Sequence, residues 1–177
     1  ADSQAFVQHN GAMDVIYRLT FRDEQGGRTT IRKMGPFYEP MHVNQVWFEA
    51  GGERTQAGLT AVGDGYYRLD FGGRKTARAG TYIVEIHYRA SHRFADPTSR
   101  DGQAQLAVWW NPIRWELPIA RSVVKLVLPF TLGADLARPE DITPAMVDGF
   151  GILTDSDILR AQDHHAWVYA DYQGEKR

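Results

Sequence analysis

Gly80-Thr81-Tyr82-Ile83-Val84-Glu85-Ile86-His87-Tyr88-Arg89 decides the fold class. Tyr82, Val84, Ile86 and Tyr88 recur at every second position, with Glu85, His87 and Arg89 on the other side. Successive side chains of a strand point to opposite faces, so this period of two sets one apolar face on a core and the other in water. Val15, Tyr17, Leu19 and Phe21 alternate in the same way with Ile16, Arg18, Thr20 and Arg22. Two half-buried strands of this kind call for a sheet with one covered face.

Working outward, Asp23-Glu24-Gln25-Gly26-Gly27 reads as a turn, and residues 28–34 are expected to return as the hairpin partner of the first strand. Gly35-Pro36 and Pro40 interrupt regular structure. Residues 43–49, with Val46, Trp47 and Phe48, read as a strand ended by Gly51-Gly52. Tyr67, Leu69 and Phe71 alternate with Arg68 and Asp70 up to Gly72-Gly73. Residues 93–102 are polar, contain Pro97 and are expected to form a solvent loop. Residues 104–110 read as a strand, Asn111-Pro112 as a break, and 113–119 as an extended piece broken by Pro118. Residues 122–128 alternate little, which suits a strand buried on both faces or lying near a sheet centre.

After Phe130 the texture changes. Thr143-Pro144 offers an N-cap and a first-turn proline, and residues 155–161 suit a short helix. Residues 166–172 return to an aromatic strand. The pattern predicts an all-β chain, an antiparallel β-sandwich of about eight or nine strands. Immunoglobulin-like topology is the leading expectation and a jelly roll the rival, with a short helical insertion near 135–162. A single domain is expected over 1–177, with 130–162 as its partly helical excursion.

At 177 residues, with 43% hydrophobic and 24% charged side chains, the chain can bury a core and is not of disordered composition. The net charge of −2 supplies no general basic field, so nucleic acid is not an expected partner. With no cysteine there is no disulfide, thiolate metal site or cysteine nucleophile. No apolar run approaches the roughly 20 residues of a membrane span, so attachment to a membrane would need segments outside this sequence. Ala1-Asp2-Ser3 suits either the start of a signal-cleaved protein or an excised piece, and the polar end after Tyr172 suits an excised ectodomain or a tail.

No nucleotide-binding, serine-hydrolase or zinc-protease fingerprint occurs, so no catalytic residue, cofactor or metal site is assigned. His164-His165, near Asp163 and Asp171, is the densest group of metal-ligand types, but neighbouring histidines on a strand face opposite ways. His87 shares the polar face with Glu85 and Arg89 and is read as a surface pair. Asp14, Asp70, Glu85 and Glu116 are carboxylates of the type a glycosidase pairs across a cleft, and spacing alone does not pair them. Asp96, Asp101 and Asn111 do not match a calcium loop. The candidate binding residues are Trp110, Arg114 and Trp115, because indoles beside an arginine can stack on a sugar or grip a protein. Trp109 and Trp110 must face opposite sides of a regular strand.

Gly80-x-Tyr82-x-Val84-x-Ile86-x-Tyr88 is followed by Leu106-x-x-Trp109-Trp110-Asn111. Trp115-Glu116-Leu117-Pro118-Ile119 comes next, then Val123 to Pro129. Over roughly residues 10–130 this order resembles the N-terminal ectodomain of a broad bacterial family of predicted membrane proteins of unknown function. The resemblance implies an extracytoplasmic β-sandwich, periplasmic or secreted, with no catalytic residues to carry over. The expected function is therefore a non-catalytic interaction or structural module. Its partner would be protein, or a second copy through a strand edge or aromatic patch. A carbohydrate-binding module using Trp110, Trp115 and Tyr67 or Tyr169 is the alternative, and a hydrolase with an unannounced carboxylate or histidine site the third.

Overall fold

The computed structural model describes residues 1–8, 10–38, 40–91, 94–100, 102–108, 110, 113–115, 122–128 and 164–170. These residues are all β, and two sheets packed face to face form a β-sandwich. The expected helical insertion at 135–162 lies outside the described residues.

The larger sheet is built on β1 (Asp2–Val7), β2 (Met13–Asp23), β8 (Gly80–Ala90), β4 (Met41–Ala50) and β5 (Glu53–Gln56), adjacent in that order and antiparallel. On the far side of β1, β12 (Ser122–Leu128) and β13 (His164–Ala170) extend it by parallel pairing. The smaller sheet runs β11 (Arg114–Trp115), β3 (Thr30–Gly35), β7 (Tyr66–Asp70) and β6 (Gly58–Gly63). A separate hairpin joins β9 (Ala95–Arg100) to β10 (Gln103–Val108).

The two strands read first from the sequence are direct neighbours, in register from Met13 opposite Ala90 to Asp23 opposite Gly80. Their odd-numbered and even-numbered apolar rows, Val15 to Phe21 and Tyr82 to Tyr88, are all buried. Residues on the opposite face are half-buried or exposed, as the alternation requires. Across the gap, Phe71 stacks on Phe48 with ring centroids 4.2 Å apart and planes within 7° of parallel. Tyr82 lies 5.6 Å from the same Phe48 ring, and Phe21 reaches both Phe71 and Tyr82. Such ring pairs each add about 0.5–1.5 kcal/mol beyond the area they bury.

Three expectations need correction. Residues 28–34 do not pair with β2. β3 belongs to the smaller sheet, because the turn after Asp23 is locked to the loop before β8 and hands the chain across the sandwich. Residues 93–102 are not a loop throughout, since Ala95–Arg100 pairs with β10 and sets Pro97 opposite Leu106. Residues 53–63 carry two strands, β5 and β6, that were not expected. Both are edges, largely exposed, so no apolar alternation marks them.

Gly80 begins β8 where a side chain would collide with Tyr82, whose hydroxyl oxygen would lie 2.2 Å from an added Cβ. That hydroxyl accepts the Ala77 N–H at 2.5 Å and donates to the Ala77 carbonyl at 3.2 Å. A tyrosine tied to backbone a few residues upstream is a corner device of immunoglobulin-type sandwiches. Replacing Phe71 by alanine removes a fully buried ring from between the sheets. The expected loss is about 3–5 kcal/mol of unfolding free energy, checked by urea unfolding; a loss below about 1 kcal/mol would contradict this packing.

Candidate interaction surface

Two of the residues singled out from the sequence, Trp110 and Trp115, pack against Tyr17. Trp110 is only 5% exposed and lies 6.0 Å from Tyr17, ring to ring, so its face belongs to the core and offers no platform to a sugar. Trp115 is half-buried, packs against the core and meets Tyr17 edge-on at 5.9 Å. Arg114 stands on β11 opposite Gly35. Tyr67 is half-buried and meets Phe37 edge-on at 5.1 Å. Tyr169 and Trp167 lie on β13, while Trp109, Asn111, Asp101, Glu116, Asp163 and Asp171 lie outside the described residues. His164 and His165 take neighbouring positions on β13, opposite Ser122 and Val123.

Tyr17 is fully buried, stacks on Tyr88 at 5.9 Å, and accepts the Ile113 N–H on its hydroxyl oxygen. Burial, reinforced by Tyr88, pushes the Tyr17 hydroxyl pKa well above that of a free tyrosine, so it stays neutral. Among the described residues the Tyr88 hydroxyl and the Trp110 Nε1 are buried without a well-formed hydrogen bond, Tyr17 and Trp110 lying near the Tyr88 hydroxyl as its polar neighbours. An orphaned buried polar group costs about 1–3 kcal/mol, so Tyr88→Phe is expected to leave stability unchanged or raise it, measured by thermal and urea unfolding. A loss above about 1 kcal/mol would show that the hydroxyl has a partner.

On the outer face of the larger sheet Arg18, Arg54, Arg89, Glu85 and Asp14 are paired among themselves. Glu85 takes Arg18 and Arg54 on one oxygen, each at 3.0 Å, and His87 Nε2 on the other at 3.0 Å. Burial pushes the Glu85 carboxyl pKa up, but His87 and Arg54 outweigh it and hold it below the usual value. Arg89 grips Asp14 with two bonds of 2.7 and 2.8 Å. A shallow groove of about 500 Å³ runs over this face, lined by Asp2, Gln4, Ile16, Arg18, Glu85 and Lys125 among others. Of the carboxylates considered for catalysis, Asp14 and Glu85 are thus held by different partners, and Asp70 accepts the Gly72 N–H at 2.9 Å. Among the described residues no three His, Asp or Glu side chains gather as metal ligands.

No family model and no curated protein matches the sequence. The reading therefore rests on what the chain itself exposes.

The far end of the sandwich is fixed by a buried clamp. Thr76 donates its hydroxyl to Asp23 Oδ2 at 2.5 Å, and Gln25 and Gly26 donate backbone N–H groups to Asp23 Oδ1, each at 3.1 Å. The Thr76 oxygen accepts the Arg28 N–H at 2.8 Å, and backbone bonds join Gly27 and Arg28 to Thr76. Gly26, at φ +75°, is where the two loops touch; a Cβ there would lie 2.6 Å from the Arg78 nitrogen. No signal of this clamp is readable in the sequence beyond the aspartate before a glycine pair.

The smaller sheet exposes the features that sequence reasoning missed. Among the described residues β6 has β7 as its one neighbour, and Gly58-Leu59-Thr60-Ala61-Val62-Gly63 carries no charge and no proline. Natural edges are commonly guarded by charge, proline or a bulge, and β5, with Glu53 and Arg54, is guarded in the first way. On β6 the pairing shifts between Ala61 and Gly63, so the regular edge runs from Gly58 to Ala61. Beside that shift Val62 is 53% exposed, the one exposed large hydrophobic residue among those described.

The hydrogen bond from Thr76 is the main reason the Asp23 carboxyl pKa lies below its ordinary value, with burial opposing it. A lowered folded-state pKa contributes stability above the unfolded value, near 3.9, and that stability fades as pH falls through the lowered one. Thr76→Val is expected to cost about 1–3 kcal/mol near neutral pH and to lose less on acidification to pH 3 than the parent. Urea midpoints between pH 3 and 6 check both; an unchanged acid dependence would remove Asp23 and Thr76 from it.

Proposed function

We propose that the chain is a non-catalytic, extracytoplasmic interaction module that binds protein, and that the open edge of the smaller sheet is where it does so. The observation that carries this reading is β6, an uncharged strand whose outer backbone side no described strand pairs, with Val62 exposed at its end. An unpaired edge offers a row of N–H and C=O groups to an extended segment of another chain, which adds as one more strand. Only Gly58 to Ala61 are regular, so the contact is small and belongs to the weak, transient class of interfaces. The extracytoplasmic placement rests on the resemblance over residues 10–130.

The Trp110, Arg114 and Trp115 end supports this reading differently from what their chemistry suggests. With Trp110 in the core and Trp115 packed edge-on, that end braces the sandwich, and the exposed contact surface lies on the opposite rim of the smaller sheet.

A photo-crosslinking residue placed at Val62 is expected to yield a discrete adduct with another protein in the cells that make the chain. The same residue at Thr20, exposed on the larger sheet, is expected to yield none. Equal labelling at the two positions, or no adduct at Val62, would overturn the edge reading.

A further inference from the structure

We propose that Asn10 is a modification site: its side-chain amide deamidates through a ring closed by the Gly11 nitrogen, and the turn between β1 and β2 sets the rate. The chain has three asparagines, Asn10, Asn44 and Asn111, and the residue after each decides its chemistry. The backbone nitrogen that follows an asparagine can attack the side-chain Cγ. Gly11 has no Cβ to obstruct that approach, whereas Gln45 has one and Pro112 brings a nitrogen with no hydrogen to lose. In the step itself the Gly11 nitrogen gives its proton to solvent hydroxide and bonds to Asn10 Cγ. The Cγ–Nδ2 bond breaks, and Nδ2 takes a proton from water and departs as ammonia. Water then opens the imide ring at either carbonyl, leaving aspartate or isoaspartate at position 10. No oxidant or cofactor takes part.

The folded turn ties both reacting groups. Asn10 is exposed, and Gly11 is buried at φ +85°. The Gly11 N–H donates to the Gln8 carbonyl at 2.9 Å, so the attacking nitrogen keeps its proton. The Ala12 N–H donates to Asn10 Oδ1 at 3.0 Å, an Asx turn that fixes the rotation of the side chain. The Gln8 N–H donates to the Ala12 carbonyl at 2.8 Å and closes the loop from β1 to β2. The leaving group is unencumbered, since Nδ2 has no hydrogen-bond partner among the described residues. Attack therefore waits for the bonds at Gly11 and at Asn10 Oδ1 to be released together.

What holds the turn from outside identifies the gate. Phe94 donates its backbone N–H to the Gly11 carbonyl at 2.8 Å. Its ring is fully buried and meets Tyr38 edge-on, 5.0 Å between centroids. Release of Phe94 frees Gly11 while β2 and β8 stay paired, a local opening that costs less than global unfolding. The turn adjoins Met13, whereas Phe21 and its contact with Phe71 lie toward the other end of β2. Each opening gives the Gly11 nitrogen one more chance to react, so the fraction deamidated at Asn10 records how long the chain has spent with its turn released. The isoaspartate product adds a methylene to the main chain of a loop that sets Val7 opposite Met13, and it adds a negative charge.

The test incubates the whole chain in mildly alkaline buffer, folded and in urea, and follows the tryptic peptide that ends at Arg18 by mass. A gain of one mass unit at Asn10, with part of the product as isoaspartate, is expected in both states, slower in the folded chain by about 10-fold or more. Phe94→Leu and Phe71→Leu make the same change at two fully buried rings. Phe94→Leu is expected to speed the folded reaction about 3-fold more than Phe71→Leu does. Amide hydrogen exchange on the parent chain supplies a reading that needs no variant: the Gly11 amide is expected to exchange faster than the Tyr17 amide. No mass gain in urea would overturn the site, and equal rates in the two states would overturn its protection by the turn. Equal acceleration by the two variants, or a Gly11 amide as slow as that of Tyr17, would assign the reaction to global unfolding and overturn the gate.

Discussion

Tyr17 and Tyr88, stacked side by side in the middle of the larger sheet, are the constraint that the rest of the sandwich depends on. Two large rings on neighbouring strands cannot both be covered by the sheet that bears them, so a second layer has to close over them. Phe37, beyond the end of β3, meets both rings edge-on, at 6.4 and 5.2 Å, and Trp110 and Trp115 complete the enclosure of Tyr17. The Ile113 N–H on the Tyr17 hydroxyl then fixes where the chain passes as it approaches β11. Without cysteines, no covalent link shares this task, and the two sheets hold together through interlocked rings.

The surface follows from the core by elimination. Once the inward rows are filled, the remaining charge is sorted unequally between the two outer faces. On the larger sheet, acids and bases neutralise one another around Glu85 and Asp14, in pairs that water screens where they are exposed. On the smaller sheet cations prevail, beside an edge strand that has no charge at all.

How much of this was legible in the sequence follows from burial. β2 and β8 alternate between core and solvent along their whole length, and their positions could be read directly from Val15 to Phe21 and Tyr82 to Tyr88. β5 and β6 lie at edges, bury little, and left no period to read. The Ala95–Arg100 strand hid behind Pro97 and its polar neighbours. Strand pairing was less legible than strand position: β2 and β3 are separated by a turn that suits a hairpin, yet β2 pairs with β1 and with β8, the latter reached only after the chain has crossed the sandwich. The tryptophans drew attention by residue type, whereas the basic face depends on β3 and β7 being neighbours, a fact of tertiary structure. The clamp joins Asp23 to Thr76 over 53 positions and has no local signature.

β1 lies between β2 and β12, and its two sides are filled at very different times as the chain is made. The antiparallel side closes locally with β2, but the parallel side waits for residues about 120 positions later, Asp2 pairing with Val123. During synthesis at roughly 5–20 residues per second, the first strand therefore exposes an open ladder for many seconds. Asp2, Gln4 and Phe6 share the side of β1 that is not fully buried, so its outward row carries one charge and one amide beside its single ring. A row of that composition puts a charge beside the open ladder, one of the features that blunt exposed strand edges.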